Sequence, residues 1–249
     1  MTHQMTVSPD FTPEHISGWY IFNTWFQKKL GTGIHLELYD DFESQRRAID
    51  NDEVDLIYAN PYDASMLVRE KGFRALARPT GKSDEAIIAV SADSPARVIE
   101  DLQSGTRLVS TADPDINMIG MIMLEPADLD VVAMQAGMKQ VDSYPLVAQK
   151  LLRGEADVGF FLKEAYQDLA QLTRRNLRVL IESQIDVIHH ALLVGPSLES
   201  RYGEIHDALI KMGDDAKSHG VLQAMGFDAW ESISEEDVEF MIDLMDTLC

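Results

Sequence analysis

Polar side chains that follow apolar runs are the residues of this chain best suited to bind a small solute. Two groups stand out: Tyr58, Asn60 and Tyr62 at the end of the run 54–59, and Thr111, Asp113, Asp115 and Asn117 after the run 107–110. Phenol, amide and hydroxyl groups donate and accept hydrogen bonds, whereas carboxylates only accept them. The ends of parallel strands open toward a crevice in α/β sheets, so these positions predict contacts with a small polar ligand.

Four further residues are predicted to contribute to such a site. Asp10 follows the first predicted strand, and His189 lies in a predicted strand over 187–194. Phe161 is the last residue of a predicted strand over 157–161, and Glu164 follows that strand. Adjacent residues of a strand point to opposite faces, so His189 and His190 are not expected to bind one metal together. We therefore predict that one imidazole packs while the other faces the ligand, and we predict no metal and no cofactor.

The same residues also suit purely structural roles. Asp113, Asp115 and Asn117 lie where a predicted helix begins, and side chains of these types cap helices. Tyr58 ends an apolar strand and is compatible with a place in the core. Ligand contact and structural support both remain open for these residues.

The elements around these residues repeat one local pattern. The segments QRRAIDNDEVDLIYANPY at 45–62 and QKLLRGEADVGFFLKEAY at 149–166 each read as helix, polar turn, Glu-x-Asp, apolar strand and Tyr. A helix over 42–50 precedes the first of these strands, and a helix over 164–173 follows the second. This alternation predicts two similar α/β lobes, and clefts between lobes are common ligand sites.

Composition excludes several classes of function. The chain has 249 residues, 45% of them hydrophobic, and a formal charge of −21. Such a charge repels phosphate backbones, so nucleic acid is not an expected partner. No apolar run approaches the roughly 20 residues of a membrane span. The only cysteine, Cys249, excludes a disulfide within the chain.

Five segments, in order, resemble the phosphate/phosphite/phosphonate substrate-binding proteins of ABC importers, and most closely the phosphonate-binding branch. They are DEVDLIYANPYDA, AVSADSPARVIEDLQSGTRLVSTADPD, GEADVGFFLKEAY, IHHALLVGPSL and HGVLQAMGFDAW. The resemblance implies an α/β, type 2 periplasmic-binding-protein fold, with two doubly wound mixed sheets joined by two hinge strands around a central cleft. Residues 1–84 and 195–249 are expected to form one lobe and 86–190 the other, with hinge strands near 86–90 and 187–194.

The resemblance also implies a function, although the anion site departs from the family pattern, and the outgoing hinge at 83–86 lacks the Tyr that the family often has there. The family holds its anion at a Ser/Thr-rich turn with a Gly, at the N-terminus of a helix, and Asp113 and Asp115 occupy the matching turn here. We therefore expect a non-enzymatic protein that binds a small polar solute and binds simple phosphonates weakly or not at all. The alternatives are a metabolite sensor, or a cytoplasmic lyase or transferase with acid/base chemistry at Asp113, Asp115 and Glu164.

Partners and location follow from the same features. A small molecule is the expected ligand, an ABC permease is an expected partner if the protein is exported, and the chain is expected to be a monomer or weak dimer. The N-terminus shows no basic segment followed by an apolar stretch. The sequence as given therefore predicts a cytoplasmic protein, or a periplasmic one if a signal has been removed.

Overall fold

The chain divides into two compact units, each built around one mixed β-sheet. The computed structural model describes residues 2–10, 15–127 and 129–248. Met1–Lys82 and His189–Thr247 form the first unit, and Ser83–Ile188 forms the second. The chain thus passes from one unit to the other at two points.

The first unit alternates strands and helices, then adds strands from the C-terminal part of the chain. Its elements are β1 (Thr2–Val7), α1 (Ile16–Leu30), β2 (Gly33–Glu37), α2 (Phe42–Asp50), β3 (Leu56–Ala59), α3 (Pro61–Lys71), β4 (Arg74–Pro79), β10 (Ala191–Val194), α9 (Tyr202–Ile210), α10 (Ala216–Ala224), β11 (Trp230–Ser232) and α11 (Glu235–Leu248). The sheet order is β11-β4-β10-β3-β1-β2. Strand β1 is parallel to β2 and β3, whereas β10 runs antiparallel between β3 and β4.

The second unit is continuous in sequence. Its elements are β5 (Ala86–Ser91), β6 (Leu108–Ser110), α4 (Pro114–Met123), α5 (Val131–Ala136), β7 (Lys139–Gln140), α6 (Tyr144–Leu152), β8 (Val158–Leu162), α7 (Lys163–Asp168), α8 (Gln171–Arg175) and β9 (Leu177–Glu182). The sheet order is β7-β6-β8-β5-β9. Strand β5 pairs with β8 and β9, so the predicted hinge strand near 86–90 is an inner strand of this sheet.

The repeated Glu-x-Asp pattern has the same structural role in both units. Asp55 Oδ2 accepts the backbone N–H of Gln4 at 2.8 Å, and Asp157 Oδ2 accepts that of Arg107 at 2.8 Å. The N–H groups of the two aspartates donate back to Gln4 O and Arg107 O, both at 2.9 Å. Each aspartate therefore fixes the register of its strand against the neighbouring parallel segment, which explains why the pattern occurs twice.

Large apolar side chains fill the space between each sheet and its helices. Trp19, Phe22 and Phe26 of α1 are almost completely buried against the first sheet. In the second unit, Val147 and Leu151 of α6 pack with Phe161 of β8. These cores hold the strand ends, and the polar side chains on them, in fixed positions.

Candidate functional site

In the first unit, Asn60 joins the ends of β1 and β3. It is fully buried, its Oδ1 accepts the N–H of Asp63 at 2.8 Å, and it thereby caps α3. Its Nδ2 donates to Ser8 Oγ at 3.2 Å and to Asp63 Oδ2 at 3.0 Å. The amide predicted as a ligand contact is thus committed to holding two strand ends together.

Asp10 follows β1 and pairs with a histidine at the start of β10. His190 Nε2 lies 3.1 Å from both Asp10 carboxylate oxygens. The side chains are largely buried, with exposed fractions of 3% for Asp10 and 12% for His190. Burial acts to raise the pKa of Asp10, but the charge and hydrogen bond of His190 outweigh it and the pKa lies below its ordinary value. The contact between Asp10 and His190 is therefore largely shielded from water.

His189, the histidine predicted to face the ligand, is the buried member of the pair. The strand begins only at Ala191, so the prediction that both histidines lie on a strand is wrong. Asp186 has a φ of 57° shortly before, a left-handed conformation that interrupts an extended strand. Burial, followed by the charge of Arg78, lowers the pKa of His189 to about 4, so this imidazole is neutral at pH 7.

Tyr62 lies in the first turn of α3 beside an arginine of α2. Arg46 lies over its ring, with the guanidinium carbon 5.0 Å from the ring centroid. Arg46 Nε also donates to Asp63 Oδ1 at 2.6 Å. Burial raises the pKa of Asp63 although Arg46 and Asn60 both bond to it. Tyr62 is 41% exposed, so it is the predicted residue of this unit with most surface left for a ligand.

Tyr58 belongs to the aromatic core of the first unit. Its ring lies 4.9 Å from Trp19 and 5.7 Å from Phe227 between centroids, and it stacks on His190 at 5.2 Å. The residue is 7% exposed. The Tyr58 ring therefore packs against the imidazole of the Asp10–His190 pair.

In the second unit, Asp113 caps the N-terminus of α4. Its Oδ1 accepts the N–H groups of Asp115 and Ile116, both at 3.2 Å. Its Oδ2 accepts the hydroxyl of Tyr144 at 2.7 Å. Pro114 has no N–H, and the Asn117 N–H donates to the backbone oxygen of Asp113 at 3.2 Å. Each N–H of this first turn thus has a partner within the chain.

Two polar atoms beside this cap have no hydrogen-bond partner among the described residues. They are Ser110 Oγ at the end of β6 and Asn117 Oδ1 in α4, and both atoms are buried. Asn117 Nδ2 donates to Thr111 O at 3.0 Å, which orients the amide. Unsatisfied buried polar atoms are rare in native proteins, so these two are candidates for ligand contacts.

The remaining predicted residues of the second unit differ in exposure. Asp115 is buried in the first turn of α4, where the helix dipole favours a carboxylate. Glu164 is half-buried on α7. Phe160 and Phe161 of β8 are both fully buried. Phe161 packs against Tyr144 and Tyr166 in the core.

Sequence reasoning missed the partners of these residues. His190, Arg46 and Asp63 contact predicted site residues, yet none was selected. The spacing of Asn60 and Asp63, three residues apart with Pro61 between them, is a recognisable helix-start signal. Arg46 carries no comparable signal, because its contact with Asp63 depends on how α2 and α3 pack.

Comparison with known proteins identifies the family to which the chain belongs. A profile described as "ABC transporter, phosphonate, periplasmic substrate-binding protein" matches residues 5–238. The chain belongs to this family. Its members, like the structural neighbours, are substrate-binding proteins rather than enzymes, and the chain is a solute-binding protein.

Several solved structures share the fold at low sequence identity. A binding protein component of an ABC phosphonate transporter from Pseudomonas aeruginosa superposes with a TM-score of 0.81 at 16% identity, covering 99% of this chain and 86% of the other. PhnD1 from Prochlorococcus marinus, in complex with methylphosphonate, gives 0.81 at 11% identity, with 99% and 98% covered. The aliphatic sulphonate binding protein SsuA from Escherichia coli gives 0.64 at 13%, with 99% and 87% covered.

These structures confirm the predicted type 2 periplasmic-binding-protein fold. A search of curated proteins finds no significant sequence match. None of the described helices is long and apolar enough to cross a membrane.

Proposed function

We propose that this chain is the solute-receiving subunit of an ABC importer, that it acts in the periplasm, and that it passes its ligand to a permease. The ligand is a small polar solute that is neutral or carries an amine. Family membership supports the transport role. The expected arrangement, with the ligand in a cleft between two lobes, stays a prediction.

The observation that carries the choice of ligand is the cap of α4. A free helix N-terminus binds phosphate and related anions through its N–H groups. Here Asp113 Oδ1 already accepts the N–H groups of Asp115 and Ile116. A second anion at this point meets both occupied donors and a fixed negative charge.

The repulsion between the Asp113 carboxylate and an anionic ligand decides between simple anions and neutral or amine-bearing solutes. Two unit charges about 4 Å apart at an effective dielectric of about 20 repel by about 4 kcal/mol. That energy corresponds to roughly three decades of affinity. In the first unit, both His190 and Arg46 already contact carboxylates, so neither side chain offsets this cost without giving up its partner.

Neutral hydrogen-bonding groups are better matched to this region. Ser110 Oγ and Asn117 Oδ1 offer a hydroxyl and a carbonyl oxygen that lack partners among the described residues. An amide, hydroxyl or ammonium group of a solute satisfies such atoms. We propose Ser110, Asn117 and Tyr62 as ligand contacts, with Asp113 as the residue that excludes simple anions.

Calorimetry with three solutes tests the proposal. Phosphate and methylphosphonate are expected to give no measurable binding to the wild-type protein, and an aminophosphonate is expected to bind at submillimolar concentration. Asp113→Ser keeps a capping side chain but removes the charge, so it is expected to gain affinity for methylphosphonate. Asp101→Ser, which removes an exposed capping carboxylate elsewhere in the same unit, is the matched control. Micromolar binding of methylphosphonate to the wild-type protein contradicts the proposed ligand class.

A further inference from the structure

A groove on the outer face of the first unit lies between α1 and α10. It encloses about 530 Å³. Tyr20, Ile21 and Trp25 of α1 and Val221 of α10 supply its apolar surface. Tyr20 and Ile21 are 51% and 48% exposed, an unusual state for two neighbouring large side chains on a helix with a well-filled core. None of these residues takes part in the solute site described above.

The groove has an apolar end and a cationic end. Positions four residues apart lie on one face of a helix. Tyr20 is thus followed along α1 by Thr24 and Lys28, and Ile21 is followed by Trp25 and Lys29, all of which line the groove. Eight residues of helix span about 12 Å. The charged and apolar ends of the groove are therefore separated by about the length of one small molecule.

The lysines of the groove form no close salt bridge with a carboxylate of the described residues. Among the described residues, Lys28, Lys29 and Lys217 make no ion pair within 4.0 Å, although the chain carries 42 acidic residues. Asp215 also lines the groove, but its oxygens accept the N–H groups of Lys217 and Ser218 and the Ser218 hydroxyl. The Lys29 charge acts on Asp215 and helps to lower the pKa of that carboxyl, but three lysines still outnumber the single carboxylate, so the groove is locally cationic in a protein of charge −21.

We propose that this groove binds an anionic amphiphile, a small molecule with an apolar or aromatic body and one acidic head group. The body lies on Tyr20, Ile21 and Trp25, and the head group lies among Lys28, Lys29 and Lys217. The volume of about 530 Å³ falls in the range of small-molecule sites.

A fluorescent anion and its neutral analogue test the proposal on the full chain. Anilinonaphthalene sulfonate is expected to bind with one-to-one stoichiometry, and its affinity is expected to fall as NaCl is raised. Phenylnaphthylamine, which lacks the sulfonate, is expected to bind about tenfold more weakly or worse, because it forgoes a charge-assisted contact.

Charge reversal locates the site. The double variant Lys28→Glu/Lys29→Glu is expected to weaken binding of the sulfonate at least tenfold and to leave phenylnaphthylamine unaffected. Ile21→Glu, at the apolar end, is expected to weaken both. The control Arg174→Glu/Arg175→Glu alters two exposed cations of α8 and changes the formal charge equally.

Two results overturn the proposal. One is unchanged sulfonate affinity in the lysine variant when its circular dichroism shows a native fold. The other is an equal loss of affinity in the Arg174/Arg175 control, which would show that only net charge matters.

Discussion

At the scale of single residues, His189 is a neutral imidazole buried in the first unit. Its pKa is about 4 in the folded protein, whereas an unfolded histidine titrates near 6.5. Between these values the unfolded chain binds a proton that the folded chain does not. Stability is therefore full above about pH 6.5 and falls as the pH drops toward 4.

Replacing His189 is expected to remove this pH dependence. The wild-type protein should lose about 2 kcal/mol of unfolding free energy between pH 7 and 5 through this residue alone. His189→Asn keeps a donor near His190 O and should show a correspondingly smaller drop in chemical denaturation. His35→Asn, which alters an imidazole that is 60% exposed, is the control. Parallel pH profiles for wild type and His189→Asn would refute the assignment.

The residue scale is where the sequence is least informative. Asp113 was compatible with a helix cap or a ligand contact, and only the positions of Tyr144 and the α4 amides show that it caps. The sequence does not show which of His189 and His190 faces inward. That depends on where the strand starts, and β10 starts only at Ala191.

At the scale of elements, α1 and α10 pack so closely that one position tolerates only glycine. A Cβ on Gly18 would lie 2.0 Å from Ala224 O and 2.8 Å from Met225 N, both backbone atoms. Backbone cannot move aside as a flexible side chain does, so the two helices would have to separate.

Gly18→Ala is expected to destabilise the protein by about 2–3 kcal/mol or more, measured by chemical denaturation. Gly220→Ala is the matched control on α10, since nothing lies within 4 Å of its added Cβ. That variant is expected to stabilise by about 0.5–1 kcal/mol, because alanine restricts the unfolded chain and favours helix. Similar effects of both substitutions would mean that α1 and α10 are not in contact at Gly18.

A helix whose start carries a capping residue can be predicted from the sequence, whereas a helix break that no residue type marks cannot. The helix predicted over 42–50 is α2, Phe42–Asp50, because Asp41 caps its start. The helix predicted over 164–173 is instead two short helices, α7 and α8, separated by extended backbone at Leu169 and Ala170. No glycine or proline marks that break, and Leu169 between the two helices is buried in the core.

At the scale of the whole molecule, the charge of −21 acts against the folded state. Compact packing brings like charges together, and salt screens their repulsion. The surface ion pairs that salt also weakens, such as Arg47–Glu43 and Lys211–Asp207, contribute only about 0–1 kcal/mol each. Because the general repulsion outweighs these ion pairs, added salt stabilises the folded state.

We expect the thermal unfolding midpoint to rise as NaCl is increased from about 0.05 to 0.5 M, measured by circular dichroism. Choline chloride at equal ionic strength should produce a similar rise, since screening does not depend on the identity of the cation. A midpoint that stays constant or falls in both salts would show that the ion pairs outweigh the general repulsion.

The order of the strands has a consequence for synthesis on the ribosome. Residues 83–188 leave the exit tunnel as one uninterrupted stretch that contains every strand of the second sheet. The first sheet lacks its inner strand β10 until residues 191–194 emerge, because β10 separates β3 from β4. While the middle of the chain folds, the edges of β3 and β4 that will pair with β10 stay open, and we expect this interval to be the one in which the chain most needs a chaperone.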